Sequence, residues 1–118
     1  MNEANFTAPQ FFREARDLDA VWVAYQDKSV WVASDEDGST ALPLWSSQER
    51  ANRFLSRSQG LSQLRPVQVP LSLFLKQWVA IYGAQVSEFG LNWVAGHEQV
   101  CVALPEEVKN GLSSQAHT

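Results

Sequence analysis

The sequence is poor in the residues that form covalent or metal-bound cores. It has one cysteine, Cys101, so no disulfide can form within the chain and no zinc-ligand spacing is present. Cys101 lies in the apolar run at residues 100–104, where a cysteine is most often a small buried hydrophobic residue. The acidic run Asp35, Glu36 and Asp37 lacks the later ligands of a calcium loop and is interpreted as a solvated turn. We therefore expect no metal and no cofactor.

Long apolar runs and glycine clusters are also absent. No window approaches the roughly 18 apolar residues of a membrane span, so no membrane association is expected. The first residues have neither the basic region nor the apolar stretch of a signal peptide, which predicts a cytoplasmic protein. The six glycines are dispersed, so none of them forms a phosphate-binding loop.

Basic residues are few and scattered. Nine Lys and Arg residues stand against thirteen Asp and Glu, which gives a formal net charge of −4. Arg50, Arg53 and Arg57 are the nearest approach to a cluster, and their spacing predicts the solvated face of one helix. A nucleic-acid-binding protein needs a basic stripe to neutralise phosphates. The sequence therefore argues against a nucleic-acid partner.

Hydrophobic residues make up 45% of the 118 residues, which is enough for the core of one domain. We expect an ordered core over about residues 9–112 and flexible tails at residues 1–7 and 113–118. Hydrophobic periodicity and turn residues predict helices at 9–18, 47–58, 71–83 and 105–112, and strands at 20–26, 29–34, 40–44, 65–70, 85–94 and 99–104. This pattern predicts a single α+β (mixed α/β) domain, with one twisted, mostly antiparallel sheet of about five or six strands and three to four packed helices.

Two local patterns predict the details of helices. Ser46 and Glu49 have the Ser-x-x-Glu spacing of a capping box, which predicts that Ser46 caps the second helix. The third helix has the clearest periodicity of the chain, and Gly83 ends it. Its predicted buried stripe consists of Leu71, Phe74, Leu75, Trp78, Ile81 and Tyr82.

An ordered series of short motifs covers most of the chain. The motifs are Leu42-Pro43-Leu44-Trp45-Ser46 followed by Ala51, Val69-Pro70-Leu71 followed by Phe74-Leu75, Gly90-Leu91-Asn92-Trp93, and Pro105-Glu106-Glu107. In this order they resemble the bacterial domain-of-unknown-function family 2750. The resemblance extends from about Phe11 to Leu112. It implies a small, single-domain, bacterial cytoplasmic protein, and it supplies no established catalytic residues.

The candidate binding residues are two tryptophans and the polar residues beside them. Trp45 and Trp93 fall at the ends of predicted strands, next to Ser46 and Asn92. Indole rings beside adaptable polar groups are favoured in partner and ligand sites, although packing of both rings in the core remains the alternative. His97, in the predicted turn of the second hairpin, completes the candidate site.

No complete catalytic set is evident, so we interpret the protein as a non-enzymatic protein-binding or regulatory module. The expected partner is another protein or a second copy of the chain. A small hydrolase of unfamiliar class remains an alternative, with His97 as base and Glu98 or Glu88 as its carboxylate. A toxin-neutralising immunity protein is a further alternative, because an acidic protein suits a basic toxin.

Overall fold

Helices and strands are interspersed along the chain, which confirms the α+β class. The computed structural model describes residues 4–96 and 100–113. The helices in these ranges are α1 (Ala4–Leu18), α2 (Gln48–Arg57), α3, which runs continuously through Leu71–Leu73, Phe74–Trp78 and Val79–Gly83, and α4 (Pro105–Ser113). The strands are β1 (Ala20–Gln26), β2 (Ser29–Val30), β3 (Ala33–Ser34), β4 (Thr40–Leu44), β5 (Arg65–Pro70), β6 (Glu88–Leu91) and β7 (Val102–Ala103).

The described strands form two sheets instead of the single sheet that the sequence predicts. The first has the order β2-β1-β5, and both of its pairings are antiparallel. The second has the order β3-β4-β6-β7, in which β4 and β6 are parallel and the other pairings are antiparallel. The two sheets are joined where the backbones of Trp22 and Trp45 exchange hydrogen bonds of 2.8 and 2.9 Å.

The predicted strand at residues 29–34 is divided between these two sheets. Its first part, β2, pairs with β1 across a two-residue turn in which Asp27 has a φ of +56°. Its second part, β3, pairs with β4. The residues that favour strands, Val30, Trp31 and Val32, lie together in the middle of this run, so local sequence gives no sign of the change of partner.

Two apolar clusters fill the interior. The larger lies between the second sheet, β1 and the helices α1, α3 and α4, and includes Phe11, Val23, Leu42, Phe74 and Phe89, all fully buried. The smaller lies between α2 and the first sheet and is formed by Ala24, Trp45, Ala51, Leu55 and Leu64. The end of β4 therefore lies against α2, which positions the candidate site.

Helix α1 begins at Ala4, five residues ahead of the predicted start at Pro9. Pro9 therefore lies inside the helix. Proline is more common in the first turn of a helix, because elsewhere it removes one backbone hydrogen bond. Residues 4–7 are helical here and do not form part of a lead segment. Residues 1–3 and 114–118, which belong to the predicted tails, lie outside the described residues.

Helix α3 contains a π-helical segment that changes which side chains face the core. The Val79 N–H donates to the carbonyl of Phe74, five residues earlier, so Val79 lies above Phe74 on the buried face. Val79 is 8% exposed, whereas Ile81 is 50% exposed. The prediction that Ile81 belongs to the buried stripe was therefore wrong, because it assumed an unbroken 3.6-residue period. Of the helices in the described ranges, none is both long and apolar enough to span a bilayer.

Candidate functional site

The candidate site lies where the parallel strands β4 and β6 end side by side. Leu44 pairs with Leu91 at the last position of each strand, and the Asn92 N–H donates to the carbonyl of Leu44 at 2.8 Å. The residues that follow the two strands, Trp45-Ser46 and Asn92-Trp93, are therefore neighbours. The carboxyl ends of parallel strands are a common location for ligand sites.

Ser46 and Asn92 fasten the two strand ends together. The Ser46 N–H donates to Asn92 Oδ1 at 2.9 Å, and Asn92 Nδ2 donates to Ser46 Oγ at 3.0 Å. Both residues are buried, so these bonds are shielded from water. Asn92 has a φ of +50°, a left-handed conformation that asparagine tolerates better than most residues. The pair therefore joins the two strand ends by side-chain hydrogen bonds.

The same network extends to α1 and α2 through an ion pair that the sequence analysis missed. The Ser46 hydroxyl donates to Glu14 Oε1 at 2.6 Å. Arg50 contacts the same carboxylate with two bonds of 2.9 Å, from Nε to Oε1 and from Nη2 to Oε2. Its guanidinium, followed by the Ser46 hydroxyl, lowers the pKa of Glu14 below its ordinary value.

Helix α2 is capped by Ser47, so the predicted capping box at Ser46 and Glu49 was wrong by one position. The Arg50 N–H donates to Ser47 Oγ at 3.2 Å, which is the usual N-cap bond. The hydroxyl of Ser46 is already committed to Glu14. Ser46 fits the capping box better than Ser47, which Arg50 follows by three residues, so tertiary contacts decide which serine caps the helix.

Trp45 is fully buried and belongs to the smaller core cluster. Its Nε1 donates to the carbonyl of Trp93 at 3.1 Å, and its ring centroid lies 5.3 Å from that of Phe54. Core packing, the alternative left open by the sequence, therefore describes Trp45. Through this hydrogen bond the buried indole of Trp45 fixes the backbone of Trp93.

Trp93 is half-buried and presents part of its indole at the surface. Its Nε1 donates to the carbonyl of Cys101 at 2.9 Å, and its ring lies 6.4 Å from Phe54. The indole also lies against Gly90, where a Cβ would approach the Trp93 ring to 2.5 Å. The orientation of the ring is therefore fixed by a hydrogen bond and by close packing on β6.

A small groove, of about 40 Å³, lies between α2 and the segment that follows β6. We call it the arginine groove. Arg50 is paired with Glu14, and Arg53 lies 3.7 Å from Glu49 in an exposed contact. Within the described ranges, Arg57 forms no ion pair. The lining residues are Arg50, Arg53, Phe54, Arg57, Asn92, Trp93, Val94 and Ala95.

A second small groove, of about 70 Å³, is lined by Trp93 and by residues in or beside β3, β4, β6 and β7. We call it the acidic groove. Its two carboxylates belong to Asp35 and Glu88, and neither forms an ion pair with any residue that the structure describes. The lining residues are Ala33, Asp35, Ser39, Thr40, Ala41, Glu88, Trp93, Val100 and Val102.

The remaining candidates are the Cys101 thiol, possible metal ligands and His97. Burial raises the pKa of the half-buried Cys101 thiol, which disfavours the reactive thiolate. Over residues 4–96 and 100–113, no three His, Cys, Asp or Glu side chains are placed to hold a metal ion. The predicted site residue His97 and its neighbour Glu98 lie outside the described residues.

Comparison with known proteins assigns the chain to a family without assigning an activity. The model of a family described as "Protein of unknown function (DUF2750)" matches residues 8–112. No curated protein matches the sequence significantly. The matched range contains both sheets, all the contacts between Ser46, Asn92 and Glu14, and the two grooves beside Trp93. The chain belongs to the DUF2750 family of proteins of unknown function.

Proposed function

We propose that this protein is a non-catalytic binding module that holds an anionic, partly apolar segment of a protein partner in the arginine groove. The observation that carries the proposal is the position of Arg53 and Arg57 beside the exposed edge of Trp93 and Phe54. Arginine and tryptophan are the side chains most enriched among residues that dominate binding energy at protein interfaces. Arginine also pairs with carboxylates and phosphates in fixed geometry.

The site is preorganised, which supports binding without a large ordering penalty. Asn92 is held by Ser46, and Trp93 is held by Cys101 and Gly90. Helix α2, which carries the arginines, is fixed by the bond of Arg50 to Glu14. Rigid sites lose less conformational entropy on binding and so retain more of their contact energy.

The charges of the groove favour an anionic occupant. Arg50 is neutralised by Glu14, and Arg53 has a distant, exposed partner in Glu49. The guanidinium of Arg57 has no carboxylate within reach in the described part of the chain. The groove therefore has positive charge in excess, although the whole chain has a formal charge of −4. Because the protein as a whole is anionic, it should repel polyanions in general. The cationic groove should still bind an acidic segment that reaches it.

The groove lining favours binding over catalysis. Its side chains are arginine, phenylalanine, asparagine, tryptophan, valine and alanine among the described residues. None of these supplies a nucleophile or a general base near neutral pH, because arginine stays protonated. The hydrolase alternative depends on His97, whose position the structure does not describe.

The proposal is tested with a fluorescein-labelled peptide of alternating glutamate and leucine, whose binding is followed by anisotropy. We expect binding to the wild-type protein and at least roughly tenfold weaker binding to the Arg53→Gln/Arg57→Gln variant, since two exposed charge contacts are together worth about 1.4 kcal/mol. Lys76→Gln/Lys109→Gln is the matched control, because it removes the same charge from exposed positions on α3 and α4.

The control separates a local groove from a general charge effect. Equal weakening by both double variants would contradict the proposal, because only net charge would then matter. A peptide with glutamine in place of glutamate should bind more weakly to the wild type, and its binding should not respond to the arginine substitutions. Equal affinity for the two peptides would also contradict an anionic occupant.

A further inference from the structure

We infer that the protein partner is a second copy of this chain, with the arginine groove of each copy facing the acidic groove of the other across a two-fold axis near Trp93. This inference rests on the proposed function, since it names the occupant of the same groove. Trp93 is the residue that the two linings share, so both grooves adjoin one half-buried indole. The surface of one copy therefore carries both halves of a complementary pair.

The two grooves match in charge. Arg53 and Arg57 contribute two guanidinium groups to the arginine groove. Asp35 and Glu88 contribute two carboxylates to the acidic groove. These carboxylates and Arg57 have no ion-pair partner among residues 4–96 and 100–113. Contact between the grooves of two copies would supply the missing partners for all three.

The symmetry of such a contact follows from the arrangement around Trp93. In a two-fold dimer the same surface meets itself, so a group on one side of the axis faces the group on the other side. With the axis near Trp93, each acidic groove meets the partner's arginine groove, and both contacts form together. A contact of this kind closes on itself and gives a dimer instead of an open chain.

Exposed apolar side chains near the two grooves would provide apolar surface for the dimer to bury. Four of the seven exposed large hydrophobic side chains in the described residues lie at residue 94 and within residues 100–104. They are Val94, Val100, Val102 and Leu104, each between 39% and 57% exposed. Val94 lines the arginine groove, and Val100 and Val102 line the acidic groove. These side chains would add apolar area to a contact between the two grooves.

The charges then determine which surfaces meet. Exposed ion pairs contribute little to affinity, so burial of the valines and of Trp93 provides most of the attraction. Like charges placed opposite each other are strongly unfavourable and exclude the wrong alignment. Reversal of one set of charges should therefore weaken the dimer, and restoring complementarity between two different variants should recover it.

The test is a charge exchange followed by sedimentation velocity over a wide range of protein concentration. One variant carries Arg53→Glu and Arg57→Glu, so that both of its grooves are acidic. The other carries Asp35→Arg and Glu88→Arg, so that both of its grooves are basic. We expect the wild type to dimerise, each variant alone to dimerise at least roughly tenfold more weakly, and an equimolar mixture to form a heterodimer. The pair Arg57→Glu and Asp35→Arg repeats the exchange with single substitutions if a double variant does not fold.

Each other outcome overturns the inference. A wild-type monomer at every concentration excludes the dimer, and a dimer unaffected by charge reversal uses a different face. Variants that remain monomeric when mixed show that the grooves do not meet each other. The labelled peptide distinguishes this failure from failure of the proposed function. If the peptide binds a monomeric protein in an arginine-dependent manner, only the inference of a second copy fails.

Discussion

The indole of Trp93 occupies the space in which Gly90 would carry a side chain. A Cβ on Gly90 would approach Cε2, Nε1 and Cζ2 of Trp93 to 2.5, 2.6 and 2.7 Å. Gly90 lies in β6 and does not have a positive φ, so the glycine is required here by the neighbouring ring and not by its own backbone conformation. The position of the Trp93 ring therefore depends on residue 90 having no Cβ.

Gly90→Ala should displace the indole and destabilise the protein by about 1–3 kcal/mol, because the added methyl group overpacks the site. The measurement is chemical unfolding in a double-mutant cycle with Trp93→Ala. In the Trp93→Ala background the ring is gone, so Gly90→Ala should cost much less than in the wild type. Equal costs in the two backgrounds would show that the ring does not determine the need for glycine.

Substitution of Asn92 should separate the loss of its amide from the strain of its backbone. Asn92→Gly removes the partner of the buried Ser46 N–H and should lower the free energy of unfolding by about 1–3 kcal/mol. Asn92→Ala should lower it by about 1 kcal/mol more, because alanine is strained at a φ of +50°. Urea unfolding of both variants measures the difference, and identical stabilities would contradict the left-handed conformation.

Glu14 should make the stability of the site depend on pH. Its folded pKa is lowered below 4.5, chiefly by the Arg50 guanidinium, so its contribution is present above that pH and is lost as the pH falls through the folded pKa. Near neutral pH, Glu14→Gln should destabilise the protein by about 1–2 kcal/mol. The difference between wild type and variant should shrink when unfolding is measured in increasingly acidic buffer below pH 4.5.

Glu49→Gln is the matched control for that experiment. Glu49 forms an exposed contact of 3.7 Å with Arg53 and lies in the first turn of α2, so the loss of both interactions should be at most about 1 kcal/mol. A Glu14→Gln effect no larger than the control would mean that the bond to Arg50 does not stabilise the site. A difference that persists at the acidic end would contradict the lowered pKa.

Gly111→Ala should destabilise the protein, although glycine-to-alanine substitutions inside helices usually stabilise. Replacement of glycine by alanine inside a helix normally stabilises it by about 1 kcal/mol. At Gly111 the added Cβ would approach the ring of Phe12 to 2.6 Å, where α4 packs on α1. Gly111→Ala should therefore destabilise the protein, and Phe12→Leu in the same chain should recover part of the loss. A more stable Gly111→Ala variant by thermal unfolding would contradict this packing.

Helix α3 shows how far periodicity predicts this fold and where it fails. The pattern predicts the extent of the helix and the burial of Leu71 and Phe74, both of which the structure confirms. It fails at Ile81, because the π-helical segment turns Val79 toward the core and leaves Ile81 half exposed. The predicted residues Leu75, Trp78 and Tyr82 pack against the core. Such a segment is stabilised by packing against neighbouring elements, which a local pattern does not contain.

The candidate site also has a part that the sequence predicts and a part that it does not. The sequence places Ser46 and Asn92 beside tryptophans at strand ends, and the structure brings all four residues together. The contribution of Glu14 was missed, because it bonds to Ser46 from 32 positions away in the chain. The helical spacing of Arg53 and Arg57 predicts a shared exposed face, but only the packing of α2 beside Trp93 makes that face one side of a groove.

The most direct test of the account is to observe Trp93 while the acidic peptide binds. In a proton–nitrogen correlation spectrum the indole N–H groups of the five tryptophans give separate signals, and the loss of one signal in Trp93→Phe assigns it. We predict that the glutamate–leucine peptide shifts the Trp93 signal, and that the fully buried Trp45 responds less. We also predict that Arg53→Gln/Arg57→Gln suppresses the shift. Saturable binding with an unmoved Trp93 signal would contradict the assignment of the binding site.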